Sequence, residues 1–275
     1  MDRRTAWLLT GVLALCCVAL ALAAVYPFAT AAPHAENPVD ERFTVPEATE
    51  YRTEGAIVVD GTTALEFEGA VASGGGRYQV VDEGGVRTER YQASPDSPVY
   101  SRIVVEGGSA DRRRDHITAD TDRELLRETR TDGTVAFIVK GEPGETAEAI
   151  SGTASVVVRS LYVVGYDRNA GDPREPNVYV PENGWYEGAE AYRVTGATGE
   201  VRTAADTTAV RSVAVTWEQT RPAGTYAESV LARLTSDAPR TYNLSFRFEA
   251  GETTVNRPAW VTDYVEAGRQ RDRSG

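Results

Sequence analysis

The chain has very little cysteine, histidine and lysine. Its two cysteines, Cys16 and Cys17, are adjacent in an apolar stretch near the N-terminus, and its two histidines are His34 and His116. Without a cysteine after position 17, the remainder can hold neither a disulfide nor a thiolate nucleophile. A zinc site would lack ligands, and no glycine-flanked serine accompanies His116 for a hydrolase triad. We therefore expect no catalytic residue, no cofactor and no metal.

Positive charge is also scarce and comes almost entirely from arginine. Lys140 is the only lysine, and 41 acidic residues stand against 29 basic ones, which gives a net charge of −12. Residues 1–32 carry one net positive charge, so the rest of the chain carries −13. Such a surface is typical of a halophilic protein, although arginine codons of a GC-rich genome also explain the missing lysine. It argues against nucleic acid and anionic membrane surfaces as partners, and it predicts stabilisation by salt.

An uncharged, apolar run over residues 6–25 is the most hydrophobic part of the chain. It has about the ~20 residues that a transmembrane helix requires. Arg3 and Arg4 precede it and acidic residues follow it, which predicts a cytoplasmic N-terminus and an extracytoplasmic remainder. We expect residues 1–32 to be a single-pass anchor in the cell membrane. The alternative is a signal peptide cleaved near Ala31, which would give a secreted protein.

The remainder divides into three parts. Residues 33–50 are rich in proline and glutamate and predict an extracytoplasmic tether. Residues 51–267 contain short β patterns and predict one β-rich domain, because all-β domains of this size are common. Residues 268–275 are charged and predict a disordered tail.

Several strands and turns are predicted from alternation and from glycine-containing turns. Asp60-Gly61 predicts a hairpin between two of these strands, and Gly84-Gly85 predicts another. In the late segment Tyr242, Leu244, Phe246 and Phe248 alternate with polar residues, which predicts a sheet with one wet face. Val213, Val215 and Trp217 form a second apolar stripe.

Helices are predicted at fewer places. Capping-box patterns predict helices from Thr121 and from Thr225 to Leu234. Residues 152–167 fit a helix slightly better than a strand. Apolar spacing after Pro258 predicts a short helix near Trp260.

Two polar motifs can each be interpreted in structural or in functional terms. The sequence DRRRDH, residues 111–116, predicts a solvated charged loop, with docking of an acidic partner or lipid headgroup as the alternative. Asn243-Leu244-Ser245 is an acceptor sequence for N-glycosylation, which is sterically possible if Asn243 lies on the wet face.

Three segments carry a resemblance to known proteins. GRYQVVDEGGVRTERYQASPDSPVYSRI (76–103), EGAEAYRVTGATGEV (187–201) and FEAGETTVNRPAWV (248–261) resemble exported, membrane-attached proteins of halophilic archaea. The layout over residues 50–265 is similar to the lipoprotein-carrier fold of the LolA, LolB and LppX kind. This resemblance implies a mainly β fold, with a curved antiparallel sheet or incomplete β-barrel whose concave face is covered by helices and accepts acyl chains.

Two functions follow as expectations. The first is a non-enzymatic, membrane-attached protein that binds a lipid or other apolar ligand in the concavity of the sheet. The large side chains expected to face the ligand are Trp217, Tyr242, Leu244, Phe246 and Phe248. The alternative is a cell-surface structural or interaction module with a closed β core and no ligand, because core and pocket residues have the same composition. Its protein partner is unknown.

We predict that the N-terminal segment is retained in the mature protein. The apolar run has spanning length and is flanked by arginines on one side and acids on the other. N-terminal sequencing of protein extracted from its own membrane is the measurement. A mature chain that starts at Ala32 would contradict the prediction.

Overall fold

A computed structural model describes Cys17 and residues 43–264, apart from 144, 170–175, 188–190, 206, 225–227, 229–230, 233 and 236–237. Apart from Cys17, the predicted membrane anchor lies outside the described residues, as does the tail from residue 268. Within the part of the chain that the structure describes, no helix is both long and apolar enough to cross a membrane.

One antiparallel sheet holds all the strands that the structure describes, and it remains open. The order is β6-β7-β5-β4-β3-β2-β1-β13-β12-β11-β9-β8, with β10 paired to β11. The strands are β1 Tyr51–Val59, β2 Thr62–Val71, β3 Arg77–Glu83, β4 Val86–Gln92, β5 Val99–Glu106, β6 Arg123–Thr131, β7 Thr134–Gly141, β8 Tyr166–Asn169, β9 Val178–Pro181, β10 Gly184–Glu187, β11 Ala191–Thr203, β12 Val210–Gln219 and β13 Arg240–Ala250. The prediction of a mainly β, antiparallel and unclosed sheet is confirmed.

The predicted hairpin turns are confirmed in their backbone geometry. Asp60 and Gly61 have φ of 51° and 76°, and Gly84 and Gly85 have φ of 57° and 77°. Two successive residues with positive φ are what a two-residue type I′ turn requires, and such turns match the twist of the flanking strands. Local sequence therefore fixes β1–β2 and β3–β4 as hairpins.

Two predictions about the segment 111–126 were wrong. DRRRDH lies within helix α1, Ala110–Ala119, rather than in a loop. The capping-box pattern at Thr121 begins no helix, because β6 starts at Arg123 and pairs with β7. Helix α1 buries only Ala110 and Ile117, so its sequence carries almost none of the apolar periodicity by which helices are recognised.

Helix α2, Glu145–Ser160, covers one face of the sheet. This inner face is the one that carries Phe67, Val215 and Phe246. Along α2, Ile150, Ala154, Val157 and Val158 are buried, and the last three belong to the main core cluster with the inner-face side chains. The helix predicted over 152–167 is thus confirmed up to Ser160, after which Leu161–Val163 form a 3-10 turn and β8 follows.

A buried glutamine holds α2 in position on the sheet. Gln79 is fully buried and donates from Nε2 to the Ala149 carbonyl at 3.1 Å and to Thr153 Oγ1 at 3.0 Å. Its Oε1 accepts from Arg90 Nη1 at 2.9 Å. A buried amide without hydrogen-bond partners lowers the stability of the fold by about 1–3 kcal/mol. This set of bonds therefore favours one position of α2 over positions shifted along the sheet.

Residues 43–49, predicted as tether, include a segment that packs on the domain. Phe43 is buried and meets Tyr166 and Tyr179 edge to face, at centroid distances of 5.2 and 5.1 Å. Tyr162 donates its hydroxyl hydrogen to the Phe43 carbonyl, and Thr44 forms a parallel bridge with Ala209. Among the described residues, packing on the domain therefore extends at least to Phe43, eight positions before the predicted boundary at 51.

The C-terminal part of the described chain lies on the opposite, outer face of the sheet. Residues 259–264 are helical, as predicted near Trp260. Trp260 Nε1 donates to Glu89 Oε2 at 2.9 Å, and Val261 is buried. This contact fixes the end of the described chain above β4.

We expect Gly199→Ala to lower the free energy of unfolding by about 3 kcal/mol, because it combines backbone strain with a steric clash. Gly199 has φ of +99°, and a Cβ there would lie 1.9 Å from the Ala214 carbonyl oxygen of β12. Urea denaturation monitored by tryptophan fluorescence measures the change. Gly108→Ala is the control, since a Cβ at Gly108 would meet no atom within 4 Å. Equal effects of the two substitutions would contradict the assigned β11–β12 register.

Three buried or half-buried tyrosines predict a loss of stability at alkaline pH. Burial raises the pKa of Tyr166 and Tyr186, and it raises the pKa of Tyr192 from 10.0 to about 12. The neutral phenol is favoured in the folded state, so this stabilisation is complete below pH 10 and is lost as pH rises towards 12.

Melting temperature measured across that alkaline range is the test. Tyr192 donates a hydrogen bond to the Val163 carbonyl at 2.7 Å. The variant Tyr192→Phe should therefore have a lower melting temperature at neutral pH, and its melting temperature should fall less as the pH is raised. An identical pH profile for the two proteins would refute the contribution of Tyr192.

Candidate functional site on the two faces of the sheet

The residues expected to bind a ligand come together on the inner face. Val213, Val215 and Trp217 of β12 stand directly opposite Phe246, Leu244 and Tyr242 of β13. Phe246 in turn stands opposite Gly55 of β1. The period-two pattern thus places both apolar stripes on one surface, as predicted, with Asn243 and Ser245 on the other.

These side chains are packed against protein. Trp217, Leu244 and Phe246 are each 2 % exposed and Phe248 is 7 % exposed. The indole of Trp217 stacks on the Tyr242 ring at 5.3 Å with an interplanar angle of 8°. Such values are typical of a filled core, in which each large side chain touches many neighbours.

Helix α2 and the 3-10 turn that follows it contribute to the core around this stripe. Val157, Val158 and Leu161 share its core cluster. The other predicted cover, the segment from Thr225 to Leu234, lies largely outside the described residues. Its described leucines, Leu231 and Leu234, are 61 % and 78 % exposed and are not part of the core.

A groove of about 510 Å³ lies on the outer face, across β2, β1, β13 and β12. Small side chains at Ala56, Ser212 and Ser245 line it and leave room between longer neighbours. The carboxylates at its rim come from Glu54, Glu66, Glu68 and Asp82. We call this feature the outer groove.

The register places like charges directly opposite each other in the outer groove. Glu54 pairs with Glu68 between β1 and β2, and Glu66 pairs with Asp82 between β2 and β3. Opposed like charges destabilise a sheet by about 0.2–1 kcal/mol per pair. Asp82 has an ion pair with Arg87 at 3.5 Å. Within the part of the chain that is described, Glu54, Glu66 and Glu68 form no ion pair.

Another outer-face carboxylate, Glu89, is almost buried and has three partners. Arg87 and Arg102 lie 3.5 and 3.3 Å from its Oε1, and Trp260 donates to its Oε2. These donors satisfy both oxygens of a carboxylate that has lost most of its contact with water. Its role is to attach the C-terminal segment to the sheet.

Asn243 is exposed on the outer face, as the glycosylation prediction requires. It lies on β13 between β1 and β12, and its Oδ1 is 2.7 Å from Thr216 Oγ1. A glycan at this position would lie over the sheet beside the outer groove. Modification of Asn243 stays a prediction.

Chemistry-bearing residues are spread thinly over the described chain. In the ranges that the structure describes, no group of three or more histidine, cysteine, aspartate or glutamate side chains is arranged to hold a metal ion. His116 lies in α1, next to arginines and aspartates.

Sequence reasoning missed the outer groove. Glu54, Glu66 and Glu68 belong to alternating strands, so their position on the wet face was accessible from the pattern. Their direct opposition across strands depends on register, which the pattern of a single strand does not determine.

Comparison with family models, curated proteins and solved structures finds no match to this chain. Only its own residues and their arrangement therefore bear on its function.

Proposed function

We propose that the protein is a non-enzymatic, membrane-attached extracytoplasmic module that binds a partner through its surface, with a filled β core. The observation that carries this proposal is the burial of the predicted ligand stripe in the main core cluster, with Trp217, Leu244 and Phe246 each only 2 % exposed. The N-terminal apolar run, with Arg3 and Arg4 before it, supports the membrane attachment.

The filled core has an energetic consequence for ligand binding. An acyl chain on the inner face would have to replace the contacts between α2 and the stripe. Displacement of α2 would also break the hydrogen bonds of Gln79 to Ala149 and Thr153. A ligand must supply the free energy of this rearrangement before any net affinity appears.

A lipid or other apolar ligand on the same stripe is the second candidate. It is favoured by the amount of aromatic surface on β12 and β13, where Trp217 stacks on Tyr242 and Phe248 stacks on Tyr51 at 4.9 Å. In this proposal α2 is a movable cover. In the first candidate function the stripe stays packed against protein. In the second, a ligand replaces some of these protein contacts.

We expect no saturable binding when the full chain in detergent micelles, at high salt, is titrated with a fluorescent fatty acid. The stripe is occupied by protein, so Trp217 should keep its emission spectrum throughout. Empty micelles correct for partition of the fatty acid into detergent. Native mass spectrometry of protein extracted from its membrane should likewise find no lipid in stoichiometric amount.

A matched pair of variants distinguishes a core from a groove. Phe246→Ala should lower the free energy of unfolding by about 3–5 kcal/mol, as truncation of a packed core residue does. The control Glu249→Gln, on the exposed side of the same strand, should change it by about 0.5 kcal/mol or less. Saturable fatty acid binding by the wild type that Phe246→Ala weakens would refute the filled core and support the lipid-binding candidate.

A further inference from the structure

The outer groove has an excess of negative charge that its own rim does not balance. Four carboxylates line it, against Arg87 and Arg247. Arg87 is paired with Asp82 and Glu89, and Arg247 with Glu249. Among the described residues, the unpaired charge of the groove thus belongs to Glu54, Glu66 and Glu68, which lie on neighbouring strands and face the same way.

The described chain ends close to this groove. Glu89, Val80, Glu68 and Glu54 stand side by side in one row across β4, β3, β2 and β1. With strands about 4.8 Å apart, the backbone at Glu89 lies about 10 Å from that at Glu68. Trp260 donates to Glu89 and lies four positions before Tyr264, the last described residue of this segment.

The residues that follow carry the complementary charge. Arg269, Arg271 and Arg273 surround Asp272, which gives residues 269–273 a net charge of +2. Four residues lie between Tyr264 and Arg269, and the five steps of chain that join them reach about 17 Å when extended. That reach is longer than the distance of about 10 Å between the Glu89 and Glu68 backbones.

We propose that the outer groove binds the arginine-rich segment 269–273 of the same chain. Guanidinium groups form bidentate hydrogen bonds with carboxylates, and such short charge-assisted bonds are geometrically specific. The segment relieves the repulsion within the Glu54–Glu68 and Glu66–Asp82 pairs. The alternating spacing of the arginines suits an extended chain, in which every second side chain points the same way.

Fluorescence anisotropy of the C-terminal segment tests the proposal in the full chain in detergent micelles. Cys16→Ser and Cys17→Ser remove the native thiols, so that a dye can be attached at Ser274→Cys. At low salt the anisotropy should be high, and it should fall as KCl is added because the contact is electrostatic. The variant Glu54→Gln, Glu66→Gln, Glu68→Gln should have low anisotropy at every salt concentration.

The matched control removes the same number of charges elsewhere. Glu106→Gln, Asp132→Asn, Glu142→Gln changes three exposed acids outside the groove and should keep the wild-type anisotropy. Replacing Arg269, Arg271 and Arg273 with glutamine should abolish the high anisotropy at low salt. Adding the groove substitutions to this variant should then cause no further change in anisotropy. Equal loss in the groove variant and the control would overturn the proposal, because it would indicate a response to net charge only.

Two further outcomes are decisive. An anisotropy that rises with protein concentration would show binding between two copies and would overturn docking within one chain. Far-ultraviolet circular dichroism and melting of each variant establish that the domain is folded. A groove variant that is folded and keeps the high anisotropy would also overturn the proposal.

Discussion

The pairing of β13 with both β1 and β12 is the interaction on which the rest of the structure depends. Strands β1 to β7 form one side of the sheet and β8 to β12 form the other, and β13 joins the two sides. Thr53 of β1 bonds the Arg247 carbonyl of β13 across 194 positions of sequence. Because the described domain holds no disulfide, this long-range junction is stabilised by the hydrogen bonds between the strands and by packing. Non-local pairing of this kind is formed slowly during folding.

Burial on the inner face supplies that packing. Phe246 lies at the junction of β1, β13 and β12 and belongs to the same core cluster as Val157 and Val158 of α2. Gly55 of β1 makes room for the neighbouring rings, since a Cβ there would lie 2.7 Å from Phe67. The joining of the two sides of the sheet and the packing of α2 are thus one cooperative event, and a change at Phe246 affects both.

Local signals in the sequence were sufficient for part of this fold. The period of two in β13 and the Asp60-Gly61 turn each depend on neighbouring residues, and both were predicted. Helix α1 was missed because its exposed arginines hide the two positions it buries, Ala110 and Ile117. The docking of Phe43 was missed because one aromatic residue in a polar stretch forms no pattern. Its partners Tyr166 and Tyr179 are distant in sequence and are recognised only once the chain is folded.

The candidate site was likewise predictable from local sequence only in part. Alternation assigned Trp217 and Phe246 to one face and Asn243 to the other, but it could not tell a core from a pocket. That distinction depends on how closely α2 approaches, which the Gln79 bonds and the side-chain volumes determine together. The opposition of Glu54 and Glu68 likewise depends on a register set by the whole sheet.

The two faces have opposite energetic roles, and this difference bears on function. Every large side chain of the inner-face stripe contributes to stability, so a ligand there would compete with folding. The opposed carboxylates of the outer groove reduce stability, so a cationic group that binds there adds to it. A domain stabilised by strand pairing and packing tolerates such repulsion only while its total cost remains below the stabilisation that they supply. Binding by the outer face is therefore coupled to the stability of the fold, whereas binding by the inner face is opposed to it.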